Sequence, residues 1–180
     1  MFTEQGAKIS ELTIPESYQQ LVHDWALTTG VECARAHRDW FADRQNEYGP
    51  VLKSLIELGL SVGEDTYRGL EKLRQQFSSD LDAVLDGVDV LLCPNMPALA
   101  PTAAEMLDVS LQDPDRADFL TFTAPFDYSG HPTITLPAGV GEGRLPKTIQ
   151  LIGGKLQESM LIRCGAGFEA AAGAGEHPLS

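Results

Sequence analysis

Between Gly87 and Pro94 the hydrophobic period of the chain changes, and that change restricts what it can fold into. Before it, apolar residues recur at spacings of three and four: Leu52, Leu55, Ile56 and Leu58, then Tyr67, Leu70, Leu73, Phe77 and Leu81. This is the stripe of amphipathic helices. In DVLLCP the stripe gives way to the continuous run Val90, Leu91, Leu92 ahead of Pro94, which predicts a short strand buried on both faces. Two further β-branched runs, HPTITLPAG and PKTIQLIGG, are bounded by Pro and Gly and separated by the turn-like VGEGRL. QESMLIRCGAGFEAA then returns to helical spacing.

The expected architecture is α/β: a helical block over about 15–87, a strand and loop block over about 88–155, a terminal helix over about 156–170 and a flexible tail over 171–180. Within the helical block, Pro15 opens a helix through SYQQLVHDWAL that Gly30 ends or bends, and VECARAHRDWFADRQNEYGP forms the next. AKISELTIP, with Ile9, Leu12 and Ile14 among polar neighbours, reads as a short N-terminal strand. Three or four short strands make an incomplete sheet, with edges that another segment must cover.

Composition narrows the partners. With 26 acidic and 13 basic residues in 180, the formal charge of -13 disfavours nucleic acid and anionic membrane surfaces. No apolar run approaches the roughly 20 residues that span a bilayer, and MFTEQGAKIS lacks the basic and apolar regions of a signal peptide, so a cytoplasmic location is expected. Cys33, Cys93 and Cys164 are widely spaced structural thiols in this reading.

No complete catalytic constellation is visible. His23 and His37 lie on predicted solvated helix faces, His131 sits in a turn between Gly130 and Pro132, and His177 is in the tail. Cys93 ends a strand, where α/β sites often form, but no base accompanies it. Ser78-Ser79 lacks glycines that would admit an oxyanion, and Gly153-Gly154-Lys155 lacks phosphate-loop spacing and reads as a turn. Asp80, Asp82, Asp86 and Asp89 lack the Gly and closing Glu of a calcium loop. Neither a metal nor a cofactor is expected.

The order of EYGP, Gly59, Tyr67, Arg74 and Phe77, DVLLCPNMPALAP, FTAPFDYSGHPTITLPAG, LPKTIQLIGG and Phe168-Glu169 resembles the C-terminal half of an amidase signature enzyme, from GAKISELTIP to about Glu169. The resemblance implies a mixed sheet flanked by helices and hydrolysis of amide carbon–nitrogen bonds, not peptide bonds. Family members use a serine activated through a second serine and a lysine, in a region N-terminal to everything matched here. This chain has no G-G-S-S-G-G segment, and none of its five lysines matches the catalytic one. The resemblance therefore implies an inactive portion, fragment or subunit. It would meet a small amide substrate when completed by an N-terminal half, and could pair with itself or with a complementing chain.

Three departures stand out. Asp127 replaces the family's usual Asn, Thr148 replaces Gly in Pro-x-Gly-x-Gln, and Cys93-Pro94-Asn95 stands where Thr-Pro-Thr is common. Leu120 occupies the place of the acid found in glutamine-using transamidation subunits, so glutamine recognition is not expected. The resemblance makes Asn95, Met96, Thr123, Phe126 and Asp127 the substrate-binding candidates. A non-catalytic assembly module is the alternative reading, and an unrelated hydrolase built on Cys93 or His131 is a third.

Overall fold

The computed structural model describes residues 1–107 and 117–173. Four helices precede the first strand: α1 (Ser17–His23), α2 (Trp25–His37), α3 (Pro50–Ser61) and α4 (Glu64–Leu85). Then follow β1 (Leu91–Pro94), the short helices α5 (Ala103–Leu107), α6 (Ala117–Leu120) and α7 (Ala124–Ser129), β2 (Thr133–Val140), β3 (Pro146–Ile152) and α8 (Glu158–Ala172). Residues 174–180, including His177 and most of the expected tail, lie outside the described residues, as do residues 108–116 of the strand and loop block.

The three strands form one sheet in the order β1-β3-β2, with β3 antiparallel to both neighbours. Register puts Leu91, Cys93, Thr133, Thr135, Gln150 and Ile152 on one face, and Leu92, Ile134, Leu136, Ile149 and Leu151 on the other. The first face receives α1, α4 and α7 through Leu21, Phe77, Leu81, Leu85, Phe126 and Ile152. The second receives α8, whose Leu161, Cys164 and Phe168 recur at helical spacing against Leu136 and Leu151. The result is a helix–sheet–helix sandwich.

Both outer strands carry proline, Pro94 in β1 and Pro137 in β2, which an edge tolerates because one row of backbone groups has no partner strand among the described residues. The β2 register shifts between Pro137 and Val140, where Gly139 takes φ 119°. Thr148 lies in regular pairing opposite Pro137, so loss of the family's Gly leaves β3 intact.

Four local expectations are corrected. AKISELTIP is not a strand: its residues join no sheet among the described residues, and Ile9 is 66% exposed. Its alternation lacked a buried face to fix it. The first helix breaks at Asp24 rather than at Gly30, which lies inside α2 because it packs on α3: a Cβ on Gly59 would stand 1.9 Å from the Gly30 carbonyl oxygen. The second predicted helix ends at His37, long before Tyr48-Gly49-Pro50. Finally, β1 is not buried on both faces, since Leu92 is 45% exposed at the sheet edge.

Candidate active-site wall

Along the α4 side of the sheet, side-chain chemistry changes from one pleat to the next. Leu91 and Ile152 belong to the apolar core; the following row is Cys93, Gln150 and Thr135. One step further lies Asn95, whose N–H continues the β1–β3 ladder to the Thr148 carbonyl at 3.5 Å. The core thus grades into a polar strip at the end of β1.

Gln150 anchors that strip. It is buried, and its Nε2 donates to the Phe122 carbonyl at 2.7 Å while lying 3.7 Å from the Cys93 sulfur. The bond ties β3 to the segment entering α7. Thr135 Oγ1 donates to Asn95 Oδ1 at 3.0 Å, reaching across β3 from the opposite edge strand. Tyr18 of α1 donates its hydroxyl to the Thr121 carbonyl, and burial pushes its pKa up to about 12. Burial likewise raises the Cys93 thiol, which holds it in the protonated, weakly nucleophilic form.

The candidate residues separate in this frame. Asn95 and Met96 are half-buried at the end of β1. Thr123 is half-buried at the start of α7, where its carbonyl accepts from the Phe126 and Asp127 N–H groups, next to the Phe122 carbonyl that Gln150 holds. Phe126 points the other way, fully buried in the core with Phe77 and Leu81. Asp127 lies on the exposed side of α7, and partial burial of its carboxyl raises its pKa. Gly130 closes α7 with φ 72° and donates its N–H to the Phe126 carbonyl, so the turn is set by backbone. Thr135 is the residue in this strip that motif reasoning did not single out; only its register beside Gln150 reveals it.

His131 is bonded to two helices, α7 and α4. Nδ1 is 2.9 Å from Ser129 Oγ and Nε2 is 3.1 Å from Asp82 Oδ1, while Asp82 Oδ2 takes Lys155 Nζ at 2.7 Å. Desolvation lowers the His131 pKa and favours the neutral ring; Nε2 faces the Asp82 carboxylate, and Nδ1 faces the Ser129 hydroxyl, which itself donates to the Phe126 carbonyl at 3.2 Å. Ser129, His131 and Asp82 stand in the spatial order of a catalytic triad, but the His131 side chain is 0% exposed, Ser129 is buried and its hydroxyl donates to the Phe126 carbonyl. A nucleophile must reach a substrate carbonyl, and this hydroxyl is sealed in the core boundary. The network is a clamp joining α4, α7 and the turns flanking β2 and α8.

The other motifs are structural as well. Ser78 donates to the Ser129 carbonyl at 2.9 Å. Gly153-Gly154-Lys155 is a turn whose Lys155 bonds Asp82. No three metal-ligating side chains converge among the described residues. A cleft of about 520 Å³ on the α4 surface, lined by Arg74, Gln75, Ser78, Ser79, Asp82 and Lys155 among others, has its main charges already matched: Arg74 to Glu32 and Glu71, Lys155 to Asp82. No helix among the described residues is long and apolar enough to cross a membrane.

The Amidase family model matches residues 2–162. The chain belongs to the Amidase family. Among Amidase relatives, AmiD of Mycobacterium tuberculosis, named as an amidase, is 37% identical over 144 residues, covering 79% of this chain and 30% of AmiD. A glutamyl-tRNA(Gln) amidotransferase subunit of Zymomonas mobilis is 35% identical over 144 residues, covering 76% of this chain and 28% of its own length. A crystal structure of an amidase superposes with a TM-score of 0.81 at 26% identity, over 96% of this chain and 39% of that one. A 6-aminohexanoate cyclic dimer hydrolase shares the fold at TM-score 0.81 and 17% identity, over 99% of this chain and 41% of that one. The chain therefore spans well under half of the Amidase proteins it matches.

Proposed function

We propose that this chain supplies one wall of an amide-hydrolase active site, acting on carbon–nitrogen bonds of small amides and not on peptide bonds. The wall is the strip at the end of β1, with Asn95, Met96 and Thr123 facing the acyl portion of the substrate. Phe126 supports it from the core and Asp127 flanks it. The observation that carries this reading is the junction of Asn95, Thr135, Gln150 and Phe122 over one sheet face, in a chain whose family membership is established on independent grounds.

In this reading the chain alone does not turn over amides. Acyl transfer needs a nucleophile activated by a base, and donors for the oxyanion. Ser78 and Ser129 are engaged in structural hydrogen bonds and Cys93 is held as a thiol, so the nucleophile belongs to a Gly- and Ser-rich segment carried by another region or chain. The edges of β1 and β2, which pair with no further strand among the described residues, together with exposed Leu92, favour docking of that complement, and a second copy of this chain is the competing occupant.

The test is amide hydrolysis by the purified chain, alone and after co-expression with the N-terminal region of AmiD, with mass and oligomeric state measured on the same samples. Activity only in the co-expressed sample is expected. Turnover by the chain alone would sink the proposal of dependence, and a stable, inactive homodimer under both conditions would favour an assembly module.

A further inference from the structure

We infer that Thr135 is a positioning residue that makes this wall a hydrogen-bond donor, selecting amides whose acyl portion carries an oxygen acceptor. The inference rests on the proposed acyl-site reading and adds a substrate class to it.

The argument begins with the orientation of one carboxamide. Asn95 follows Pro94 at the end of an edge strand, and its side chain would otherwise sample several rotamers. Thr135 Oγ1 donates to Asn95 Oδ1 at 3.0 Å, which assigns the carbonyl end of the amide to the β2 side. The two nitrogen-bound hydrogens then project on the opposite side, away from Thr135. Asn95 offers the end of β1 a pair of donors with a fixed direction.

β-branched Thr135 is suited to this task. Its χ1 is stiff, and its place in the β2–β3 ladder opposite Gln150 fixes its backbone. Gln150 in turn donates its own Nε2 to the Phe122 carbonyl at 2.7 Å and so does not compete for Asn95. A carbonyl, carboxylate or ether oxygen in the acyl portion satisfies the Asn95 donors. The Asn95–Thr135 pair is exposed to water in this chain; once a bound substrate displaces that water, a purely aliphatic acyl group leaves the donors without a partner, and that penalty produces the selectivity.

The test has two arms. In the first, the side-chain carboxamide of Asn95 is followed by ¹⁵N NMR in the isolated chain. Thr135→Val should shift its signals and raise the side-chain mobility read by relaxation, and Thr135→Ser should restore both. Unchanged signals in Thr135→Val would overturn the positioning role whether or not any assembly is active.

In the second arm, the co-expressed assembly is assayed on a simple aliphatic amide and on its 3-oxo counterpart. Loss of one neutral hydrogen bond should lower the preference for the 3-oxo amide about fivefold in Thr135→Val, through KM rather than kcat, with recovery in Thr135→Ser. Asn95→Ala should show a similar loss, and the double variant no further one. Equal effects on both amides would overturn the donor assignment alone, whereas an unsubstituted assembly inactive on both would overturn the acyl-site reading beneath it.

Discussion

His131 Nε2 sits 3.1 Å from Asp82 Oδ1, joining the entrance of β2 to α4 across 49 residues of sequence. The imidazole is held neutral because desolvation outweighs the pull of Asp82, and Lys155 beside the carboxylate adds to the lowering. A histidine with a folded pKa below its unfolded value of about 6.5 binds fewer protons in the folded state. Its contribution to stability is therefore complete above that value and lost as pH falls through the folded pKa. The Asp82 carboxylate, lowered first by its bond to Lys155, loses its contribution only under more acidic conditions.

Thermal unfolding should accordingly show a Tm that declines between about pH 7.5 and pH 5.5, with a shallower decline in His131→Gln. Parallel slopes for the two proteins would rule out titration of His131 as the cause.

Helix packing supplies a second expectation. The Gly30 carbonyl oxygen would lie 1.9 Å from a Cβ on Gly59, whereas a Cβ on Gly30 meets its nearest atom, the Leu55 carbonyl oxygen, at 2.9 Å. Both obstacles are backbone, so neither can rotate aside. Gly59→Ala should cost about 3 kcal/mol or more and Gly30→Ala less, an order that chemical denaturation of the two variants can check.

The visibility of these features in the sequence follows from the range of the interactions behind them. α3 and α4 were legible because their apolar stripes are local, and β2 and β3 because β-branched runs end at Pro and Gly. Gly30 read as a helix stop or bend because its reason for being glycine lies on α3, out of reach of any local pattern. AKISELTIP failed for the opposite reason: it had a pattern but no sheet to join. At the site, Asn95 was reached through its motif, but Thr135, 40 residues away, became meaningful only once β3 set the register between them. The His131 partners Ser129 of α7 and Asp82 of α4 likewise come from separate elements.

Gln150 offers a test of the strip independent of activity. Gln150→Leu keeps most of the volume but leaves the part-buried Phe122 carbonyl without its donor, a loss of about 1 kcal/mol. Because Phe122 precedes α7, the damage should be local. Hydrogen exchange should quicken around Phe122 to Phe126 before it does in α3, and uniform loosening of the whole chain would contradict the anchoring role.

The turn before α8 permits a gain in stability. Leu156 takes φ 62°, a conformation that crowds its Cβ against the backbone, and its side chain is 90% exposed, so it gains no burial there. Left-handed geometry costs a non-glycine residue about 1–2 kcal/mol, while glycine gives back part of that advantage through the larger entropy of its unfolded chain. Leu156→Gly should therefore raise stability of the isolated chain by about 0.5 kcal/mol, read as a shift in the denaturation midpoint at unchanged slope. The same substitution bears on assembly. If Leu156 is a contact for the complementing region, Leu156→Gly will stabilise the isolated chain yet weaken the co-expressed complex, whereas a plain exposed turn will show the first effect without the second.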